Sequence, residues 1–178
     1  LACREGHADV AARLLAAGAS ADLPNRIGNT PLQTACLKRH AKVVSHLLAA
    51  GASVDLARRL DGSTALHYAC MSGDAAIVAQ LLGAGASFNL ARNDGCLALH
   101  CACEAFSTPD PDDVSAERIQ VVSELLAAGA RVDCANKDSG DYPLLILCER
   151  GHEAGVAHLL AAGARVEVTD YAGHTPLF

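Results

Sequence analysis

The chain has 178 residues, is 51% hydrophobic but only 3% aromatic, contains no Trp and carries a formal net charge of −6. That length suits one domain with a core of Ala, Leu and Val, and the acidic balance argues against a nucleic-acid partner, which calls for a basic face. No apolar run approaches the ~20 residues of a membrane-spanning helix and no signal-peptide pattern opens the chain, so neither a membrane partner nor secretion is expected.

The elements repeat. Gly-Ala recurs at Gly18-Ala19, Gly51-Ala52, Gly85-Ala86, Gly129-Ala130 and Gly163-Ala164, and a second glycine ladder runs through Gly28, Gly62, Gly95, Gly140 and Gly173. Both ladders step by thirty-odd residues and both contain one longer interval, in the same unit, which marks a repeat architecture with one insertion. The chain opens in mid-pattern at Leu1, so it reads as part of a longer protein. A half-unit at 1–24, ending in Leu14-Leu15 and Gly18, is followed by units at 25–58, 59–91, 92–136 and 137–169 and a fragment at 170–178. In three of them a first helix opens at a Thr-Pro-Leu or Thr-Ala-Leu start: Thr30-Pro31-Leu32, Thr64-Ala65-Leu66-His67, and in the last fragment Thr175-Pro176-Leu177. Pro in the first helical turn forfeits no intrahelical hydrogen bond, and Thr ahead of it can cap. The second helix carries apolar pairs four residues apart, such as Val43-Val44 with Leu47-Leu48, Ile77-Val78 with Leu81-Leu82 and Val121-Val122 with Leu125-Leu126, the spacing of one helical face. Gly then supplies a left-handed cap. The fold class expected is an all-α repeat solenoid.

The unit at 92–136 holds about eleven extra residues within Phe106–Arg118. Ser107-Thr108-Pro109-Asp110-Pro111-Asp112-Asp113 cannot continue a helix. It is expected to bulge from the edge opposite the inter-unit loops, either as a tolerated insertion or as a partner contact. The next unit is atypical too: Tyr142, Leu145, Ile146 and Leu147 replace the usual Thr, His and small residues, which suggests repacking against the distorted unit.

Cys3, Cys36, Cys70, Cys103 and Cys148 share one position late in the first helix and read as small buried core residues rather than as a disulfide framework. Free buried thiols fit a reducing compartment, so the protein is expected inside the cell, in cytoplasm or nucleus. Cys96, Cys101 and Cys103 lie beside His100, but on one helix residues two apart point some 200° from each other, and the paired knuckles of a zinc site are missing. No Ser or Cys nucleophile stands at a defensible spacing from a His and an acid, and every Gly marks a turn rather than a phosphate loop. Neither an enzyme activity, a metal nor a cofactor is expected.

The Gly-x-Thr-Pro-Leu-His type start, the Gly-His before the second helix (Gly6-His7, Gly151-His152) and the leucine pair before Gly-Ala resemble the ankyrin-repeat family over essentially the whole chain. The resemblance implies stacked helix pairs, with β-hairpin loops that form a concave groove with the first helices and bind another protein. It also implies that His67 and His100 tie loop to helix start, and that Asn89, where other units carry Asp55, Asp133 and Glu167, is a candidate for hydroxylation by an oxygen-sensing hydroxylase. On that frame Arg59, Arg92 and Lys137 occupy one loop position, Arg26 lies one residue beyond it, and Arg58 is an extra residue. These cations, interleaved with Asp61, Asp94, Asp138 and Asp170, form either a solvated rim or a docking strip for an acidic segment. Asn29, Ser63, Asn93 and Asp141 in the same loops complete the tip surface. The groove-facing first-helix residues vary from unit to unit: Leu37 and Lys38, Met71, Glu104, Glu149 and Arg150. Leu37 and Met71, beside Arg59 and Leu60, are either an interface centre or scattered surface apolars. An Ala-, Leu- and Cys-rich array with an inter-helix insertion is also similar to the ankyrin-repeat and SOCS-box family, the substrate receptors of cullin-based ubiquitin ligases. The box that would contact elongin and cullin is not in this chain. A regulatory array within a larger signalling enzyme or channel is the other reading.

Overall fold

A computed structural model describes residues 1–106 and 115–178. Ten helices follow in chain order: α1 Ala2–Glu5, α2 Ala8–Ala16, α3 Pro31–Leu37, α4 Ala41–Ala49, α5 Ala65–Ser72, α6 Ala75–Gly83, α7 Ala98–Glu104, α8 Ser115–Ala127, α9 Pro143–Glu149 and α10 Glu153–Ala161. The first helices pack in one row (α1, α3, α5, α7, α9) and the second helices in another (α2, α4, α6, α8, α10), with each pair also packed on itself. The all-α repeat array is thus present. Its core is one continuous strip of small and branched residues, which each unit completes only against its neighbours.

Local chemistry explains the element ends. Thr30 Oγ1 accepts from Gln33 N at 3.1 Å and Gln33 Oε1 accepts from Thr30 N at 2.9 Å, a reciprocal cap that starts α3 one residue before Pro31. The Gln33 side chain then donates to the Leu56 and Ser63 carbonyls at 2.7 and 3.1 Å, which pins the helix start to the next loop. His100 makes the same link, its Nδ1 accepting from Leu97 N and its Nε2 lying 2.7 Å from the Cys134 carbonyl. At the other end, Gly51 (φ 78) lets Ala52 N donate back to the Leu47 carbonyl at 3.0 Å and closes α4.

The structure departs from these expectations at two points and adds to them at a third. Among the described residues no β-strand forms: the inter-unit loops close as tight turns, such as Arg92 N to the Cys96 carbonyl at 2.9 Å with Gly95 N to the Arg92 carbonyl at 3.0 Å, and no ladder extends beyond them. At Thr175-Pro176-Leu177, where a helix start is expected, the described residues form a turn, with Phe178 N donating to the Thr175 carbonyl at 3.0 Å. Part of the extra stretch in the fourth unit is helix: α8 begins at Ser115 and runs 13 residues where α6 has 9. Glu117, in that added turn, reaches Arg39 two units away at 2.5 Å, and Arg39 also lies 3.5 Å from Asp74. The bulging-loop reading of Ser107–Asp113 falls outside the described residues.

Cys36, Cys70 and Cys103 are fully buried, and burial pushes their thiols well up. Cys96 and Cys101 are buried as well, their thiols pushed up to about 12. Cys3, Cys134 and Cys148 are half-buried. An aromatic disulfide reagent should therefore modify Cys3, Cys134 and Cys148 in the folded protein, and the other thiols only after denaturation. Peptide mapping checks this; rapid native labelling at Cys70 would contradict it. Leu145, Ile146 and Leu147 are buried rather than solvated, and across the fourth and fifth units the Phe106 ring lies 4.0 Å from that of His152.

Candidate functional site

Two surfaces run along the array. The first is the row of loop tips. Asn25, Arg58, Arg92 and Asn136 each donate their backbone N–H across their own loop, to Asn29, Ser63, Cys96 and Asp141. Neighbouring tips join through Asn93 N to the Asp61 carbonyl (2.9 Å), Lys137 N to Asp94 (2.7 Å) and Tyr171 N to Ser139 (2.9 Å). These bonds correct the register expected for the cations. Arg58, not Arg59, is the counterpart of Arg92, and Arg26, Arg59, Asn93 and Lys137 share the following position. The extra residue of the second tip lies beyond Arg59, between the two bonded ends of the loop.

The register decides which cations are available. Arg58 is folded inward: its Nη1 lies 2.7 Å from Tyr68 Oη and 3.3 Å from Asn29 Oδ1, and its Nε 3.5 Å from Asp61. Arg92 bonds Asp94 at 2.9 Å and points its other Nη at the Cys101 thiol. Both guanidiniums brace a tip against a first helix. Asn29 and Ser63, expected among the contact residues, are 6% and 1% exposed and are spent on Tyr68 and Asp61. Asp61 is pushed up by partial burial, but the Ser63 bonds and the two arginines outweigh this and hold its carboxyl low. Arg26, Arg59, Leu60, Asn93 and Lys137 remain exposed at the tips. Asn89 is also exposed, and its Oδ1 accepts from Arg131 N at 3.1 Å, the slot in which Asp55 receives Ser87 N and Asp133 receives Arg165 N.

The second surface is the outer face of the first helices. Leu37 and Met71 hold the same position on the packed helices α3 and α5 and are both exposed, with Lys38 beside them. Further along, Met71, Glu104, Asp141, Glu149 and Arg150, five residues expected from sequence, line one cavity of about 400 Å³ together with Cys101, Ala105 and Ile146. Partial burial lifts the Glu104 carboxyl above its ordinary range against the pull of Arg92 and Arg150. Cys101 and Ile146 were not anticipated at this surface. They lie three residues before Glu104 and Glu149, one helical turn away, and that i, i+3 spacing was the available signal. Among the described residues no three His, Cys, Asp or Glu side chains converge as metal ligands, and no helix is long and apolar enough to cross a membrane.

A family model described as Ankyrin repeats (3 copies) matches residues 1–58 and 51–109. The chain belongs to the ankyrin-repeat family. Ankyrin repeats are protein–protein interaction modules, and both surfaces described above belong to such an array. No curated protein matches the sequence. In this ankyrin array the helix pairs continue past residue 109, through α8, α9 and α10, with the side-chain sizes of the fifth unit altered.

Proposed function

We propose that this ankyrin array recognises a protein partner through the first-helix face and the exposed tips, without chemistry of its own, as the adaptor or substrate-recognition array of a ubiquitin ligase. The observation that carries the binding surface is the meeting of Met71, Glu104, Asp141, Glu149 and Arg150, drawn from three units, around one cavity. Residues that vary between units yet converge in space give a rigid scaffold a selective face. The ligase role is supported by the likeness to SOCS-box receptors in composition and in the interrupted fourth unit, and the buried free thiols favour a reducing compartment, cytoplasm or nucleus.

Two measurements test this. Affinity capture from cells with the array should lose its specific partner, to about a tenth, when Arg59→Glu and Lys137→Glu are combined, since each reverses an exposed rim charge. Unchanged recovery would remove the tips from the site. Capture with the full-length protein should bring elongin and a cullin; a complex without them rejects the ligase role and leaves the binding array standing.

A further inference from the structure

The cavity between α5, α7, α9 and the tip preceding α9 has a chemistry of its own. Ile146 and Cys101 are buried and form its floor, and Met71, 43% exposed, forms one wall. Glu104, Glu149 and Asp141 stand around it with one cation, Arg150. Among the described residues no Lys, Arg or His nitrogen lies within 4 Å of the Glu104 or Glu149 carboxylate, whereas Asp61 is paired with Arg58, Asp94 with Arg92 and Asp133 with Arg165. Three carboxylates against one guanidinium leave the cavity acidic, and the incoming chain can supply a further cation.

Resting on the protein-binding reading above, we infer that this cavity seats an extended segment of the partner in which one lysine or arginine adjoins an aliphatic residue. The cation lies between Glu104 and Glu149, and the aliphatic side chain covers Ile146 and Met71. Arg150, at the same rim, disfavours a run of several cations, so the segment carries an isolated basic residue rather than a polybasic tract. An acidic docking segment, the natural reading of the tip arginines, does not suit this cavity. Two of those arginines are turned inward, and the cavity would set carboxylate against carboxylate.

A random-peptide phage selection on the whole chain tests this directly. The expected consensus is a single Lys or Arg next to Leu, Ile, Val or Met. Titration of a consensus peptide should show binding about tenfold weaker for the Glu104→Gln/Glu149→Gln variant, and weakened by added salt. Arg13→Glu, the same charge reversal at an exposed residue of α2, should leave it unchanged. Both glutamates are exposed overall, so the variant is expected to keep its circular dichroism spectrum and melting point. An acidic consensus, lost on Arg59→Glu with Lys137→Glu, overturns this inference and leaves the protein-binding reading intact. So does a basic consensus indifferent to the glutamine variant. Failure to enrich any peptide, together with capture from cells that no tip or cavity variant alters, overturns both.

Discussion

Replacing Leu147 by Ala is expected to destabilise the fifth unit by about 3 kcal/mol, and adding Gly155→Val to that variant to restore most of the loss. Two repeat positions share this volume. Ala35, Ala69 and Ala102 occupy the slot of Leu147, all of them buried; Val43, Ile77 and Val121 occupy the slot of Gly155, all fully buried. The fifth unit has exchanged the sizes, with the large residue on the first helix and none on the second. A Cβ at Gly155 would stand 2.9 Å from Leu147 Cδ1 and 3.0 Å from His152 Nδ1, so Gly155→Val alone overpacks and should cost about 1–3 kcal/mol. Together the substitutions recreate the arrangement of the other units, and a coupling of about 2 kcal/mol or more is expected between residues in such contact. Urea unfolding, with hydrogen exchange at α9 and α10 amides as the local readout, measures it. Additive costs would show that the two positions do not share volume.

Acid should loosen the array through His67. Its Nδ1 accepts from Thr64 N at 3.1 Å, which places the proton on Nε2, and Nε2 is buried near the Leu90 and Cys96 carbonyls without reaching bonding geometry with either. Burial, with Arg92 nearby, lowers the imidazole from its ordinary 6.5 to about 4. Between those values the unfolded chain binds a proton that the folded chain refuses. Stability is therefore complete above pH 6.5 and declines as the pH falls toward 4, by about 3 kcal/mol at most for this group. His100 is lowered in the same direction, also by burial, and adds to the slope. His67→Gln should flatten much of the decline, because Gln33 already performs both tasks at the equivalent position, accepting from Thr30 N and donating to two carbonyls. Denaturation midpoints at pH 7.5 and 5 for both proteins decide the matter. An unchanged pH slope in the glutamine variant would assign the acid sensitivity elsewhere.

Most of the array was legible before any coordinates, because the period is written in residues whose backbone roles are narrow. Glycines at the helix ends, Thr-Pro at helix starts and leucine pairs on second helices each specify one local geometry. The strands expected of the loops were not formed, since each loop closes as a tight turn and bonds its neighbour at the tip instead of extending a ladder. The site was legible in part. Met71, Glu104, Glu149 and Arg150 could be placed on one face by counting turns, and they do meet. Arg58 and Arg92 could not be assigned correctly, because a one-residue difference in tip length permits two alignments and only the bonds to Ser63 and Cys96 choose between them. Tyr68, the residue that draws Arg58 inward, gave no sign of that role in a chain with few aromatics. The exchange of sizes at Leu147 and Gly155 was visible only as an oddity at one of its two ends.

The thiol at one fixed height in every unit makes this protein sensitive to oxidation in a directional way. At Cys36, Cys70 and Cys103 the slot holds a sulfur atom and nothing larger. A unit that opens long enough to be oxidised or alkylated there can no longer close over the added group. Its neighbour then loses half its packing surface and opens more often in turn. Damage that starts at the less sheltered Cys3 or Cys148 would spread to the buried thiols of the neighbouring units as a ratchet, turning brief openings into permanent loss of packing.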